Sequence, residues 1–70
     1  MQGREQLGAN IRRARHAAGL SQMALADRCG VHFTEISRLE LADRDPRLTT
    51  ILKVARGLDV TPSELLEDVR

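Results

Sequence analysis

The sequence predicts an all-α domain of five short helices, and three observations carry that prediction. Apolar residues recur at helical spacing in successive windows, with no sustained period-two alternation to mark a strand. Glycine, proline and capping residues punctuate those windows at short intervals. Phe33 is the only aromatic residue, so the core has to be assembled from Leu, Ile, Val and Ala, which suits closely packed helices.

The elements follow in order. Leu7, Ile11, Ala14 and Ala18 define the first helix, with Arg12, Arg13 and Arg15 on its flanks and Gly19 as its stop. Ser21 is placed to N-cap a second helix that begins at Gln22 and buries Leu25, Ala26 and Cys29. Gly30 ends it, because a sharp helix-to-helix turn needs a residue at ease with φ > 0. His32 then takes the next cap position, with Glu35 at capping-box spacing. The third helix spans 33–41, from Phe33 to Leu41, and Val31, Ile36 and Leu39 supply its buried set. Asp45 before Pro46 is pushed out of the α region. Leu48, Ile51, Leu52, Ala55 and Leu58 define a fourth helix with Thr49 or Pro46 near its start, and Gly57 inside it costs about 1 kcal/mol relative to Ala. Thr61-Pro62-Ser63-Glu64 is a strong start for a fifth, which Leu65, Leu66 and Val69 complete.

Size and composition bound the function. Seventy residues make one domain, 1–70, too short for a second core. Cys29 is the only cysteine and reads as a small core hydrophobe, which fits a reducing, cytoplasmic setting. The polar start MQGREQLGANIRRAR is unlike a signal peptide, and no run approaches the roughly 20 apolar residues of a membrane span. His16 and His32 have no companions at ligand spacing, so neither metal nor cofactor is expected. Ser21, Ser37 and Ser63 have no general base arranged near them, and no paired carboxylates or phosphate-cradling glycine loop occurs, so no enzyme is expected. A net charge of +1 is modest for a nucleic-acid binder. Four acids (Asp59, Glu64, Glu67, Asp68) are concentrated near the end, however, and local charge on a docking face outweighs the sum.

The stretch Gln22 to Leu41 therefore reads as two short helices crossing closely at Ala26 and turning at Gly30, the geometry that presents a helix to the DNA major groove. LSQMALADRCGVHFTEISRLE, then DP, then LTTILKVARGLDVTPSELL resembles the helix-turn-helix domain of phage repressor and Cro proteins, also called the xenobiotic response element family. The resemblance runs from about Leu7 to Leu66. It rests on Leu20-Ser21-Gln22, Ala26, Gly30-Val31, Ile36-Ser37, Leu39-Glu40, Pro46, Leu48 and Val60-Thr61-Pro62 in order.

That resemblance implies a compact, lambda-repressor-like five-helix fold and a sequence-specific transcriptional regulator of double-stranded DNA, a repressor foremost, without catalysis. It implies a homodimer on near-palindromic operators with half-sites about 34 Å apart, in the cytoplasm at the nucleoid. By position, His32, Phe33, Thr34, Ser37 and Arg38 would face base edges. Arg38 would fork onto guanine O6 and N7, Phe33 would pack on a thymine methyl, and Thr34 would donate or make apolar contact. Gln22, Arg44 and Arg47 would hold phosphates. Arg15 and Glu40 match an internal ion pair, and Leu66, Val69 and Val60 near the fifth helix would form the dimer face.

Two departures stand out. Leu41-Ala42-Asp43-Arg44-Asp45 replaces the Gly and basic residue common after the matching glutamate, so the third helix is expected to end differently and two acids lie where phosphates approach. Phe33 occupies a base-reading position where polar residues are commoner. Two alternatives stay open: a protein-interaction adaptor of the same fold, favoured by Glu35, Asp43 and Asp45, and an antitoxin or restriction-modification controller that keeps DNA binding.

Overall fold

The computed structural model describes residues 3–43 and 45–70. Five helices follow in order: α1 (Gly3–Ala17), α2 (Gln22–Cys29), α3 (Phe33–Leu41), α4 (Leu48–Leu58) and α5 (Pro62–Leu65). α1 packs on α3, α2 packs on both α3 and α4, and α5 closes over α4 and α1. Ile11, Leu25, Ile36, Val54 and Leu65, one from each helix, are fully buried at the centre. No described helix is long and apolar enough to cross a membrane.

The caps that set α2 and α3 are local. The Ser21 hydroxyl accepts from Ala24 N–H at 3.0 Å, and Gly30 closes α2 at φ +71° while Val31 N–H reaches back to the Ala26 carbonyl at 3.1 Å. At the start of α3, His32 Nδ1 accepts from Thr34 N–H at 3.2 Å. Glu35 does not complete a capping box there. Its carboxylate faces α4 and accepts from the Thr50 hydroxyl at 3.5 Å, leaving the imidazole as the sole side-chain cap. The box at α5 is complete: Glu64 N–H donates to Thr61 Oγ1 at 3.2 Å, and Thr61 N–H donates to Glu64 Oε1 at 2.8 Å. The Thr61 amide and the Thr61 hydroxyl, which also donates to Glu64 Oε1 at 3.0 Å, hold the Glu64 carboxyl below the usual carboxylate range.

Three further sequence expectations are corrected. α3 ends as it would with glycine: Ala42 adopts φ +58°, its N–H donates to Leu39 O at 3.2 Å, and Asp43 N–H donates to Arg38 O at 3.1 Å. Two closing hydrogen bonds thus accompany a conformation that Ala adopts reluctantly. On α4, Leu48 and Leu52 are exposed, whereas the buried stripe runs through Thr50, Ile51, Val54, Ala55, Gly57 and Leu58. α4 starts at Leu48, so Thr49 and Pro46 do stand near its start, and its N-cap Arg47 makes no side-chain cap bond. The end of the chain is the last: α5 stops at Leu65, with Leu66 as its C-cap, and Val69 packs on the core from a turn beyond it.

Gly57 is a close-approach position. A Cβ there would sit 3.2 Å from Cys29 N and nearer still to its Sγ, so α2 and α4 touch backbone to side chain. The price in helix propensity is outweighed by the packing this permits between Cys29 and Val54, whose carbonyl lies 4.0 Å from the thiol. Burial pushes the Cys29 thiol up in pKa, in keeping with a core hydrophobe rather than a nucleophile.

Candidate nucleic-acid interface

α3 is two-faced. Ile36, Leu39 and Glu40 are buried, while Phe33, Thr34 and Arg38 are exposed and Ser37 is half-buried beside them. Positions 33, 34, 37 and 38 fall on one side of a helix, so these four side chains form a continuous outer front. Phe33 is 41% exposed, a large apolar ring with solvent on one side. His32 stands at the edge of the front with a second duty: besides the cap bond, its Nδ1 lies 2.9 Å from Thr34 Oγ1, which leaves Nε2 as the ring's outward atom.

Beside this front, Arg38 and Arg47 line one open cleft between α3 and the loop before α4, together with Glu35, Asp45 and Thr50. Arg47 is exposed at the start of α4. Arg44 lies outside the described residues. Asp45 pairs with Arg4 Nε at 3.7 Å, an exposed contact worth little in stability. It does, however, offset one of the two acids near the approach path.

Behind the front, three side chains converge on Glu40, whose own side chain is 1% exposed. Arg15 makes a bidentate pair, Nε to Oε2 at 2.6 Å and Nη2 to Oε1 at 3.0 Å, and its Nη1 donates to the Leu20 carbonyl at 3.0 Å. Gln22 Nε2 donates to Oε1 at 3.0 Å, and Arg12 Nε donates to the same oxygen at 3.4 Å. Burial pushes the Glu40 carboxyl up, but hydrogen bonds from Arg15, Gln22 and Arg12 and the charge of Arg15 outweigh it and hold the group below the usual range. The reciprocal bond from Glu40 raises Arg15 against the cost of its own desolvation. Among the described residues, no buried side-chain nitrogen or oxygen lacks a partner.

The helix crossing explains why these groups meet. A Cβ on Gly8 would lie 2.6 Å from Leu39 O and 3.0 Å from Glu40 O, so α1 and α3 touch along their backbones there. That contact brings the next turns of α1, which carry Arg12 and Arg15, onto Glu40. Sequence spacing suggests the Arg15–Glu40 pair through resemblance alone; the turning of Gln22 and Arg12 onto the same carboxylate carries no linear signal. A second omission had one. Asn10 sits on the apolar stripe between Leu7 and Ile11 and is buried. Its Nδ2 donates to Leu65 O and Glu67 O, both at 2.8 Å, and its Oδ1 accepts from Gln6 and Arg13, both at 2.9 Å. It covers carbonyls that the end of α5 leaves open.

A family model for a helix-turn-helix domain matches residues 6–67. The chain belongs to this family. Among relatives, this helix-turn-helix domain is 35% identical over 63 residues to control protein C.SmaI of Serratia marcescens, covering 90% of the chain and 75% of that protein. Its fold matches the restriction-modification controller protein C.AhdI of Aeromonas hydrophila with a TM-score of 0.89 at 35% identity, over 93% of this chain and 98% of that one. The P22 c2 repressor, solved in complex with a synthetic operator, matches with a TM-score of 0.78 at 30% identity, over 87% and 92% of the two chains. The five-helix arrangement is that of lambda-repressor-like domains.

Proposed function

We infer that the chain is a sequence-specific regulator of transcription that binds double-stranded DNA through α3 in the major groove. The observation that carries this reading is the outer front of α3, whose Phe33, Thr34 and Arg38 are exposed while the opposite side is locked to the core and to Arg15 through Glu40. Arg38 supplies the fork for guanine, Phe33 the apolar surface for a thymine methyl, and Thr34 and Ser37 the small polar contacts. His32 contributes through Nε2 at the edge of the groove. Gln22, Arg44 and Arg47 fix register on phosphates. The regulator acts in the cytoplasm on the nucleoid and needs no catalysis or cofactor of its own.

A homodimer on a near-palindromic operator completes the reading. Its face is built around Leu48 and Leu52, one turn apart on the exposed flank of α4, and Leu66. Val60 and Val69, by contrast, pack on the core and contribute less than Leu66. Within regulation, the role of a restriction-modification controller is favoured by the likeness to C.SmaI and C.AhdI, and gene neighbourhood discriminates it from a repressor.

Selection of bound duplexes from a random library with purified protein tests the reading. Enrichment of two related half-sites in inverted orientation is the expected result. Recovery of unenriched sequence, with no salt-dependent duplex binding, would favour a protein-interaction adaptor on the same fold.

A further inference from the structure

Arg12 has no place in the interface described above, yet its position joins it to that interface. Its Nε and the Nε2 of Gln22 donate to one and the same oxygen, Oε1 of Glu40, at 3.4 and 3.0 Å. Two groups anchored on one atom lie close enough to share one phosphate on their outer sides. The charges around them are unequal. Arg15 is nearly buried and spends Nε and Nη2 on Glu40 and Nη1 on Leu20, so this pair is internally neutral. Arg12 is half-exposed, with a side chain 52% accessible, and among the described residues its two Nη groups have no acceptor. The carboxylate thus holds Arg12 by its inner nitrogen and leaves a guanidinium fork facing outward with an uncompensated positive charge. Gln22 is held alike, with one amide N–H on Glu40 and the second without an acceptor among the described residues.

We propose that Arg12 is a DNA-backbone contact, and that buried Glu40 acts as a positioning residue that sets Arg12 and Gln22 on the same phosphate. The proposal rests on the DNA-binding reading above. Arg13, its neighbour, bonds to Asn10 on the α5 side of α1 and serves as a control of equal charge.

The test is the salt dependence of binding of the full chain to a fluorescein-labelled duplex of mixed sequence, followed by anisotropy. A phosphate contact contributes about 0.9 to the slope of log K against log salt. Arg12→Ala is expected to lower the slope by about that amount, so that a fourfold rise in salt costs the variant roughly threefold less affinity than the parent. Arg12→Lys keeps the slope, and Arg13→Ala leaves it unchanged. In a Glu40→Gln background, adding Arg12→Ala changes the slope less than it does in the parent, because the fork is no longer held. If Arg12→Ala lowers thermal stability but leaves the slope intact while the parent binds duplex, Arg12 only buttresses Glu40 and the proposal fails. Failure of the parent itself to bind in a salt-dependent way overturns the DNA-binding reading instead, and the proposal with it. Should Glu40→Gln fail to fold, the Arg12 variants alone decide the contact.

Discussion

Ala42 carries the clearest local strain, a Cβ held at φ +58° where a left-handed residue is required to end α3. A non-glycine residue there costs about 1–2 kcal/mol, part of which glycine returns through a looser unfolded chain. Ala42→Gly is therefore expected to stabilise the domain by up to about 1 kcal/mol, read as a rise of about 4–8 °C in the melting midpoint per kcal/mol. Arg38 is the residue on which sequence reading has most at stake. Arg38→Ala is expected to weaken binding to the selected operator by about 1–3 kcal/mol while sparing random duplex, and equal loss on both in a titration would remove it from the base-reading set. At this scale much was legible. Ser21, Gly30 and Thr61 act where their chemistry puts them, because caps and tight turns depend on near neighbours. Ala42 was misread because two closing backbone hydrogen bonds, rather than residue preference, set its conformation, and the bond from Gln22 to Glu40 was out of reach because the two are 18 residues apart.

Helical elements meet at Glu40, where α1, α2 and α3 each send a side chain to or from one buried carboxylate. Its folded pKa lies below that of the unfolded chain, so the unfolded state binds more protons in the window between the two. The stability this gives is fully present above the ordinary glutamate value of about 4.3 and is lost as pH falls through the lower folded value. Acid unfolding followed by circular dichroism should show this loss below about pH 4, and Glu40→Gln should flatten that part of the profile while lowering stability near neutrality. α4 shows the other side of reading elements from periodicity. Its helical span was legible, but Leu48, Ile51, Leu52, Ala55 and Leu58 all fit an apolar pattern, and only packing shows that Leu48 and Leu52 stand outside it. Leu52→Glu is expected to convert a dimer to a monomer in sedimentation with little loss of fold, since the residue is 39% exposed. A monomeric parent at the same concentration would exclude α4 as the self-association face.

For the whole molecule, recognition works because the fold separates two tasks. Small apolar side chains from all five helices build the core, and the polar network at Glu40 fixes the angle at which α3 leaves it. The overall charge of +1 is a poor guide to docking, because four of the ten acids (Asp59, Glu64, Glu67 and Asp68) lie at the α5 end, while Arg12, Arg38 and Arg47 are exposed elsewhere. Fold class was legible from capping and spacing. The partition of α3 into a locked side and a free side was legible only in outline, since it depends on which helix each residue faces.

Phe33 lies on that free side and is the chain's only phenylalanine, with no Trp or Tyr anywhere in the sequence. The core is consequently silent to every aromatic probe. Fluorinated phenylalanine supplied during expression would enter at a single position, and its one fluorine resonance would report directly from the docking surface. A chemical-shift change on adding operator, absent on adding an unrelated duplex, would follow the reading of sequence by α3 without any signal from the rest of the fold.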